Sequence, residues 1–318
     1  MKDRFGREID YLRISLTDLC NLRCVYCMPA EGVGKLRHEQ ILSLEEVVEI
    51  AGAAVELGIR KLRLTGGEPL VRRGVVDLVR RLRALPGLQE LVLTTNGLLL
   101  PELAQPLRDA GLDRVNVSLD TLNPETYRRI TRGGELDRAL AGVRAAMDAG
   151  LTPVKLNAVL IGGVNDGEIP ALAALTLDQQ IEMRFIELMP IGDAAQFGPE
   201  AYLPVDTVLQ RLPDLESLPS DGASVARRYR LPGAVGSVGL ISPVSCSFCC
   251  SCNRIRLTAD GHLKPCLHSA AEFSLRGKHG DALRDAICAA VDAKPEAHGV
   301  LSAEQRSEAG RNMNEIGG

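Results

Sequence analysis

Tryptophan is missing from this 318-residue chain, and phenylalanine and tyrosine number only five each. Without aromatic platforms, stacking recognition of single-stranded RNA or DNA is excluded as its main activity. Basic charge is not in excess either. Lys and Arg number 37 against 41 Asp and Glu, leaving a formal net charge of −4 and no basic coat for nucleic acid. No run of roughly 18 uncharged apolar residues occurs, so no membrane-spanning helix is expected. The opening Met1-Lys2-Asp3-Arg4-Phe5-Gly6-Arg7-Glu8 lacks an apolar core followed by a cleavage site, and a cytoplasmic location is expected. What is present is a globular balance of 45% hydrophobic and 25% charged residues. There are also nine cysteines: Cys20, Cys24, Cys27, Cys246, Cys249, Cys250, Cys252, Cys266 and Cys288. An odd number in two clusters reads as metal ligation rather than as a disulfide framework.

Six β-branched or leucine-rich runs predict buried parallel strands: Tyr11–Ser15, Lys61–Thr65, Glu90–Thr95, Arg114–Leu119, Val154–Ile161 and Ile181–Leu188. Helical patterns separate them. Ser43 and Glu46 form a capping-box pair ahead of Leu44, Val47, Val48, Ala51 and Val55 on one face. Val75, Leu78, Val79 and Leu82 repeat the spacing, as do Leu136, Leu140, Val143 and Met147. Gly58, Gly87, Gly111 and Gly150, each followed by Ile or Leu, fall where helices stop. Six βα units are too few for a closed eight-fold barrel. The chain is therefore read as α/β, a partial open (β/α)6 TIM-like barrel, with a doubly wound sheet as the alternative. In a barrel, chemistry sits at the carboxyl ends of the strands. Polar or glycine-rich segments lie there, among them residues 18–27, Gly66-Gly67-Glu68-Pro69 and Thr94–Gly97. Residues 191–222 read as a crossing segment with a short helix near 205–212. Two hairpins follow, Val225–Leu231 with Val235–Ser242 and a second turning at Asp260-Gly261, and then a helix over Asp281–Asp292.

Cys20, Cys24 and Cys27 form C-x3-C-x2-C in the loop after the first strand. Three thiolates can each hold one iron of a cubane cluster and leave the fourth iron open. Structural zinc wants a fourth ligand, and none lies nearby in the sequence. Cys249, Cys252 and Cys266 form C-x2-C-x13-C, again three thiolates. With Cys246 they could instead make a four-cysteine zinc site, and spacing alone leaves zinc and iron–sulfur level. Cys250 adds a further thiol. Cys288, among Ile287, Ala289 and Ala290, reads as buried and inert.

The run Cys20-x3-Cys24-Val25-Tyr26-Cys27, with an aromatic before its last cysteine, resembles the signature of the radical S-adenosylmethionine superfamily, and Gly66-Gly67-Glu68-Pro69 resembles its glycine-rich element. Phe248-Cys249-x2-Cys252-Asn253-Arg254-x-Arg256-Leu257, Lys264-Pro265-Cys266-Leu267, Leu12–Asn21 and the tail Asn312–Gly318 are similar to the GTP 3′,8-cyclase family of molybdenum cofactor biosynthesis. The resemblance spans nearly the whole chain. It implies two 4Fe–4S clusters, one on Cys20, Cys24 and Cys27 and one on Cys249, Cys252 and Cys266. It further implies division into a barrel over 1–222 and a smaller C-terminal iron–sulfur domain over 223–318.

The same resemblance assigns S-adenosylmethionine to Tyr26, Gly67, Ser118 and Met189. GTP falls to Arg13, Arg63, Thr94, Lys155, Arg184, Arg254, Ile255 and Arg256. Catalytic roles fall to Arg254, Arg256, Gly317 and Gly318, the glycines threading into the active site. Cations converging from separate strands suit a triphosphate. Lys155 is the most informative of them, because an unpaired ammonium between Val154 and Leu156 would be costly. Gly66 and Gly67 would let the backbone approach the methionine end of the cofactor. The implied reaction removes H3′ of the GTP ribose and joins C3′ to C8 of guanine. Its implied partners are an external one-electron reductant, a downstream cyclic pyranopterin monophosphate synthase and a second copy in a homodimer. Rival readings are a radical peptide-modifying enzyme with an auxiliary cluster, and a non-catalytic iron–sulfur or zinc-ribbon protein.

Overall fold

In a computed structural model, which describes residues 1–34, 36–219 and 225–317, the predicted strands form the centre of one open sheet. They are β1 (Tyr11–Ser15), β2 (Lys61–Thr65), β3 (Glu90–Thr95), β4 (Arg114–Ser118), β5 (Val154–Leu160) and β6 (Ile181–Glu187), parallel and in sequence order. The C-terminal strands are β7 (Glu216–Ser217), β8 (Arg227–Arg230), β9 (Ser237–Ile241), β10 (Arg254–Leu257), β11 (His262–Lys264) and β12 (Phe273–Ser274). Both predicted hairpins are present, β8–β9 and β10–β11. They extend the sheet at both edges: β9 lies parallel to β6, and β10 parallel to β1. The sheet does not close, as expected for a partial barrel.

The helices are α1 (Leu44–Glu56), α2 (Val75–Arg83), α3 (Leu100–Asp109), α4 (Pro124–Thr131), α5 (Leu136–Asp148), α6 (Ile169–Ala174), α7 (Thr207–Arg211) and α8 (Gly280–Asp292). The capping box of α1 forms: Ser43 Oγ accepts from the Glu46 amide at 3.1 Å, and the Glu46 carboxylate accepts from the Ser43 amide at 2.7 Å. Such a cap contributes about 1 kcal/mol. Gly58, Gly87, Gly111 and Gly150 all adopt positive φ after their helices. Cys288 corrects an expectation: it is exposed on α8, whose buried face is Leu283, Ile287, Ala290 and Val291. None of the described helices is long and apolar enough to cross a membrane.

The strands alternate in a way that buried parallel strands usually do not. Leu12, Ile14, Leu62, Leu64, Val115 and Val117 are buried in the hydrophobic core under the helices. The residues between them, Arg13, Arg63 and Asn116, turn to the concave side. A two-residue period therefore splits each strand into an apolar outer face and a polar inner one.

Candidate active site

The concave face encloses a cavity of about 600 Å³, a size suited to a small-molecule ligand. Every sequence-predicted site residue lines it except Ile255, Gly317 and Gly318. Ile255 is a correction. It pairs with Leu12 in the register and its side chain belongs to the hydrophobic core, so it offers the cavity no side chain. Gly318 lies outside the described residues. Cys246 and Cys250 are exposed and do not line the cavity, whereas Cys249, Cys252 and Cys266 do.

The two cysteine triads reach the cavity from opposite ends of the strands. Cys20, Cys24 and Cys27 follow the carboxyl end of β1. Cys249 and Cys252 precede the amino end of β10, and Cys266 follows the antiparallel β11 back to that same end. In the first triad burial is the main cause of raised thiol pKa values, to about 11 at Cys20 and about 12 at Cys27. Cys24 is held well above the thiol range by burial and by the neighbouring Cys27. Half-buried thiols whose thiolates would repel one another around a shared space fit a cationic iron cluster, which would reverse the sign of their surroundings. Among the described residues no three His, Cys, Asp or Glu side chains are placed to hold a single metal ion. A cluster instead needs its thiolates on separate irons.

Gly67 meets the back of the cysteine loop. A Cβ there would lie 2.4 Å from the Leu19 carbonyl oxygen, and its amide donates to the Thr17 carbonyl at 2.7 Å. The expectation that cofactor approach explains this glycine is therefore incomplete, because the loop's own packing already requires it. Glu68 staples the neighbouring strand ends: its carboxylate accepts from the Thr95 hydroxyl at 2.8 Å and from the Asn96 amide at 2.8 Å. Burial raises Glu68 to about 7. Asp120, raised by burial to about 6, accepts from the Tyr26 hydroxyl at 2.7 Å and so fixes that ring at the cavity wall.

Between the triads the cavity is cationic. Nine Lys or Arg and four Asp or Glu are among its lining residues, in a chain whose net charge is −4. The register sets Arg63, Arg13 and Arg256 side by side across β2, β1 and β10. Burial, then mutual repulsion, depresses Arg13 far below the guanidinium range, and burial and the neighbouring Arg254 lower Arg256 to about 10. Burial alone would raise Tyr11, yet the surrounding Arg63, Arg13, Lys61 and Arg254 bring it down to about 8. Arg63 Nε, Asn116 Nδ2 and Asn157 Oδ1 are buried without a hydrogen-bond partner among the described residues. All three residues line the cavity, and unpaired buried polar atoms of this kind call for a polar ligand.

Lys155 has a carboxylate partner within the protein. Its Nζ donates to Glu182 Oε2 at 2.8 Å, and Arg184 holds the other carboxylate oxygen. Burial and Arg184 still bring Lys155 down to about 8. Glu182 escaped the sequence reading, as did Asn116 and Asn157, although the latter two follow the two-residue period through Ser118 and Lys155. Thr94 accepts from Arg63 Nη1 at 3.2 Å.

The tail enters this cavity wall. Asn314 is buried and its Nδ2 donates to the Asp18 carbonyl at 3.1 Å. Gly317 adopts φ +67°, and a Cβ there would stand 2.3 Å from Thr65 Oγ1. Its carbonyl accepts from Arg256 Nη1 at 2.6 Å. Upstream, Arg311 anchors the tail to Asp260 at 2.9 Å and to Glu272 at 2.6 Å.

Comparison with known proteins agrees with this geometry. Residues 14–176 match the Radical SAM superfamily, and residues 181–300 match Molybdenum Cofactor Synthesis C. The chain is 53% identical to the GTP 3′,8-cyclase of Peptoclostridium acidaminophilum, over 99% of this chain and 98% of that one. It is 49% identical to that of Alkaliphilus oremlandii and 50% identical to that of Moorella thermoacetica, over the full length of both chains in each case. Among solved structures, Streptococcus suis SuiB bound to its precursor peptide SuiA superposes with a TM-score of 0.62 at 14% identity, over 98% of this chain and 76% of that one. Methylornithine synthase PylB gives a TM-score of 0.51 at 19% identity, over 65% and 63%. These structural likenesses show a shared fold alone. The family models and the full-length sequence matches establish that the chain belongs to the GTP 3′,8-cyclase family of the radical S-adenosylmethionine superfamily.

Proposed function

We propose that the chain converts GTP to (8S)-3′,8-cyclo-7,8-dihydroguanosine 5′-triphosphate, the first step of molybdenum cofactor biosynthesis. One observation carries this reading: a single cavity holds a cysteine triad near each end and a row of mutually repelling arginines between them. When bound, a 4Fe–4S cluster with S-adenosylmethionine supplies one-electron cleavage of the sulfonium and a 5′-deoxyadenosyl radical able to take H3′ from the ribose. Cys20, Cys24 and Cys27 would hold that cluster. Tyr26, Gly67, Ser118 and Met189 would hold S-adenosylmethionine at the carboxyl ends of the strands.

Arg13, Arg63 and Arg256, with Arg254, Thr94, Lys155 and Arg184, would bind GTP. Repulsion among these cations is relieved by a polyanion, and buried charge-assisted hydrogen bonds to phosphate add direction. Glu182 presets Lys155 and Arg184, so their ordering is complete before substrate arrives. The conversion returns one electron and one proton to the nucleotide. We assign Arg254 and Arg256 to the proton's delivery because both lie on β10, just after Cys252, where the arginine row meets the second triad. The carbonyl of Gly317 accepts from Arg256, and to the terminal glycines we assign the shaping of the space where the ribose must meet the radical. An enclosed cationic cavity suits a nucleoside triphosphate better than a peptide, which favours this reading over peptide modification. An outside one-electron reductant, a cyclic pyranopterin monophosphate synthase that takes the product, a homodimer and a cytoplasmic location complete the proposal.

Loss of H3′ followed by return of an electron and a proton makes the product an isomer of GTP. Anaerobic incubation of the iron-loaded chain with GTP, S-adenosylmethionine and dithionite is expected to yield a nucleotide of unchanged mass and altered chromatographic retention. Recovery of GTP alone, with 5′-deoxyadenosine released, would refute the assignment.

We assign the second cluster to Cys249, Cys252 and Cys266. Their place in the cavity wall, against the exposed Cys246 and Cys250, supports the choice. Serine at any of the three is expected to halve the iron content, whereas serine at Cys246 or Cys250 leaves it unchanged. Iron analysis with Mössbauer spectroscopy of the five variants decides the matter, and loss of iron in the Cys246 variant would overturn the ligand set.

A further inference from the structure

Lys294, just beyond α8, is 2% exposed, and its side chain reaches the wall of the cavity. An ammonium has three donors, and here two of them reach backbone carbonyls rather than a carboxylate. Nζ donates to the Arg254 carbonyl at 2.8 Å and to the Pro265 carbonyl at 2.8 Å, and its positive charge favours the thiolate form of Cys252. Arg254 stands two residues after Cys252, and Pro265 immediately precedes Cys266. One side chain therefore joins both arms of the second triad across the β10–β11 hairpin. Burying such a charge against carbonyls is costly unless negative charge lies alongside. Thiolate ligands of a cluster would supply it.

We propose that Lys294 is a positioning residue for the second cluster: it clamps the Cys252 and Cys266 arms at ligating separation and sets a fixed cation beside the triad. The inference rests on the reading that Cys249, Cys252 and Cys266 hold a cluster. Hydrogen bonds and charge near cluster sulfurs set reduction potential, so removing the cation should make the second cluster harder to reduce and leave the first untouched.

The test uses the full-length, iron-loaded chain with Lys294→Met and Lys294→Gln. Iron content, Mössbauer spectra and a redox titration followed by electron paramagnetic resonance are compared with wild type. The first cluster, identified by its spectral response to S-adenosylmethionine, serves as the internal reference. Lys294→Met is expected to lose most of the second-cluster signal while keeping the first. Lys294→Gln, which keeps donors but no charge, is expected to retain more of the cluster with a more negative midpoint potential. Wild-type iron and an unshifted second-cluster potential in both variants would overturn the proposal. Should Lys294→Met fail to fold, an unshifted potential in Lys294→Gln overturns it alone. Wild-type protein with only one cluster would refute the underlying ligand reading instead, before any variant is compared.

Discussion

A chain carrying Cys24→Ser is expected to release 5′-deoxyadenosine at least about 100-fold more slowly than wild type, a loss beyond that typical of removing a group behind a metal ligand. Cys24 is half-buried beside Cys27 and Cys20, and all three face the same cavity. No other thiol stands ready to substitute. The remaining cysteines that line the cavity, Cys249, Cys252 and Cys266, enter from the opposite end of the strands. A serine hydroxyl is a poor ligand for iron, so the first cluster should be lost while the fold persists. The assay is anaerobic S-adenosylmethionine cleavage with dithionite, accompanied by iron analysis and a thermal unfolding curve. Near wild-type 5′-deoxyadenosine formation would show that Cys24 is not a ligand.

Removal of Gly317 and Gly318 is expected to act on rate far more than on binding. The arginine row stays in place, and Arg256, released from the Gly317 carbonyl, remains available to phosphate. GTP affinity should therefore change by no more than about threefold, whereas cyclisation falls by about 100-fold or more, the scale expected from a misplacement of roughly 1 Å at the reacting atoms. Gly317→Ala should move the same way, because its Cβ would collide with Thr65 Oγ1 at a backbone φ of +67°. Equilibrium GTP binding and single-turnover product formation, measured side by side, separate the two effects. Normal cyclisation after truncation would return the tail to the status of a passive end.

The central strands were legible because each is a short run of β-branched residues and leucine bounded by glycine or a polar loop. Their observed ends fall within one residue of the predicted ones. Helices α3 and α4 carried no such clear pattern. Pro101 and Pro106 interrupt the first, and Pro124 opens the second behind Asn123, whose side chain caps the Glu125 and Thr126 amides. The docking of β10 on β1 joins residues some 240 positions apart, and no local periodicity reports a contact of that range. Once the register is known, much follows. Glu182 sits opposite Lys155 on the adjoining strand, and Arg13 falls between Arg63 and Arg256. Ile255 was assigned to the site through family resemblance, although strand alternation between Arg254 and Arg256 already placed it on the other face. The cysteine triads were fully visible as spacing. Which of the five C-terminal thiols near the second triad face the cavity was not, because exposure depends on the turn over residues 249–251.

The most direct measurement of the proposed chemistry uses GTP bearing deuterium at C3′. Incubated anaerobically with the loaded chain, S-adenosylmethionine and reductant, it is expected to give 5′-deoxyadenosine carrying one deuterium and a cyclised nucleotide that has lost it. Unlabelled 5′-deoxyadenosine beside a nucleotide that keeps its deuterium would contradict removal of H3′ in this cavity.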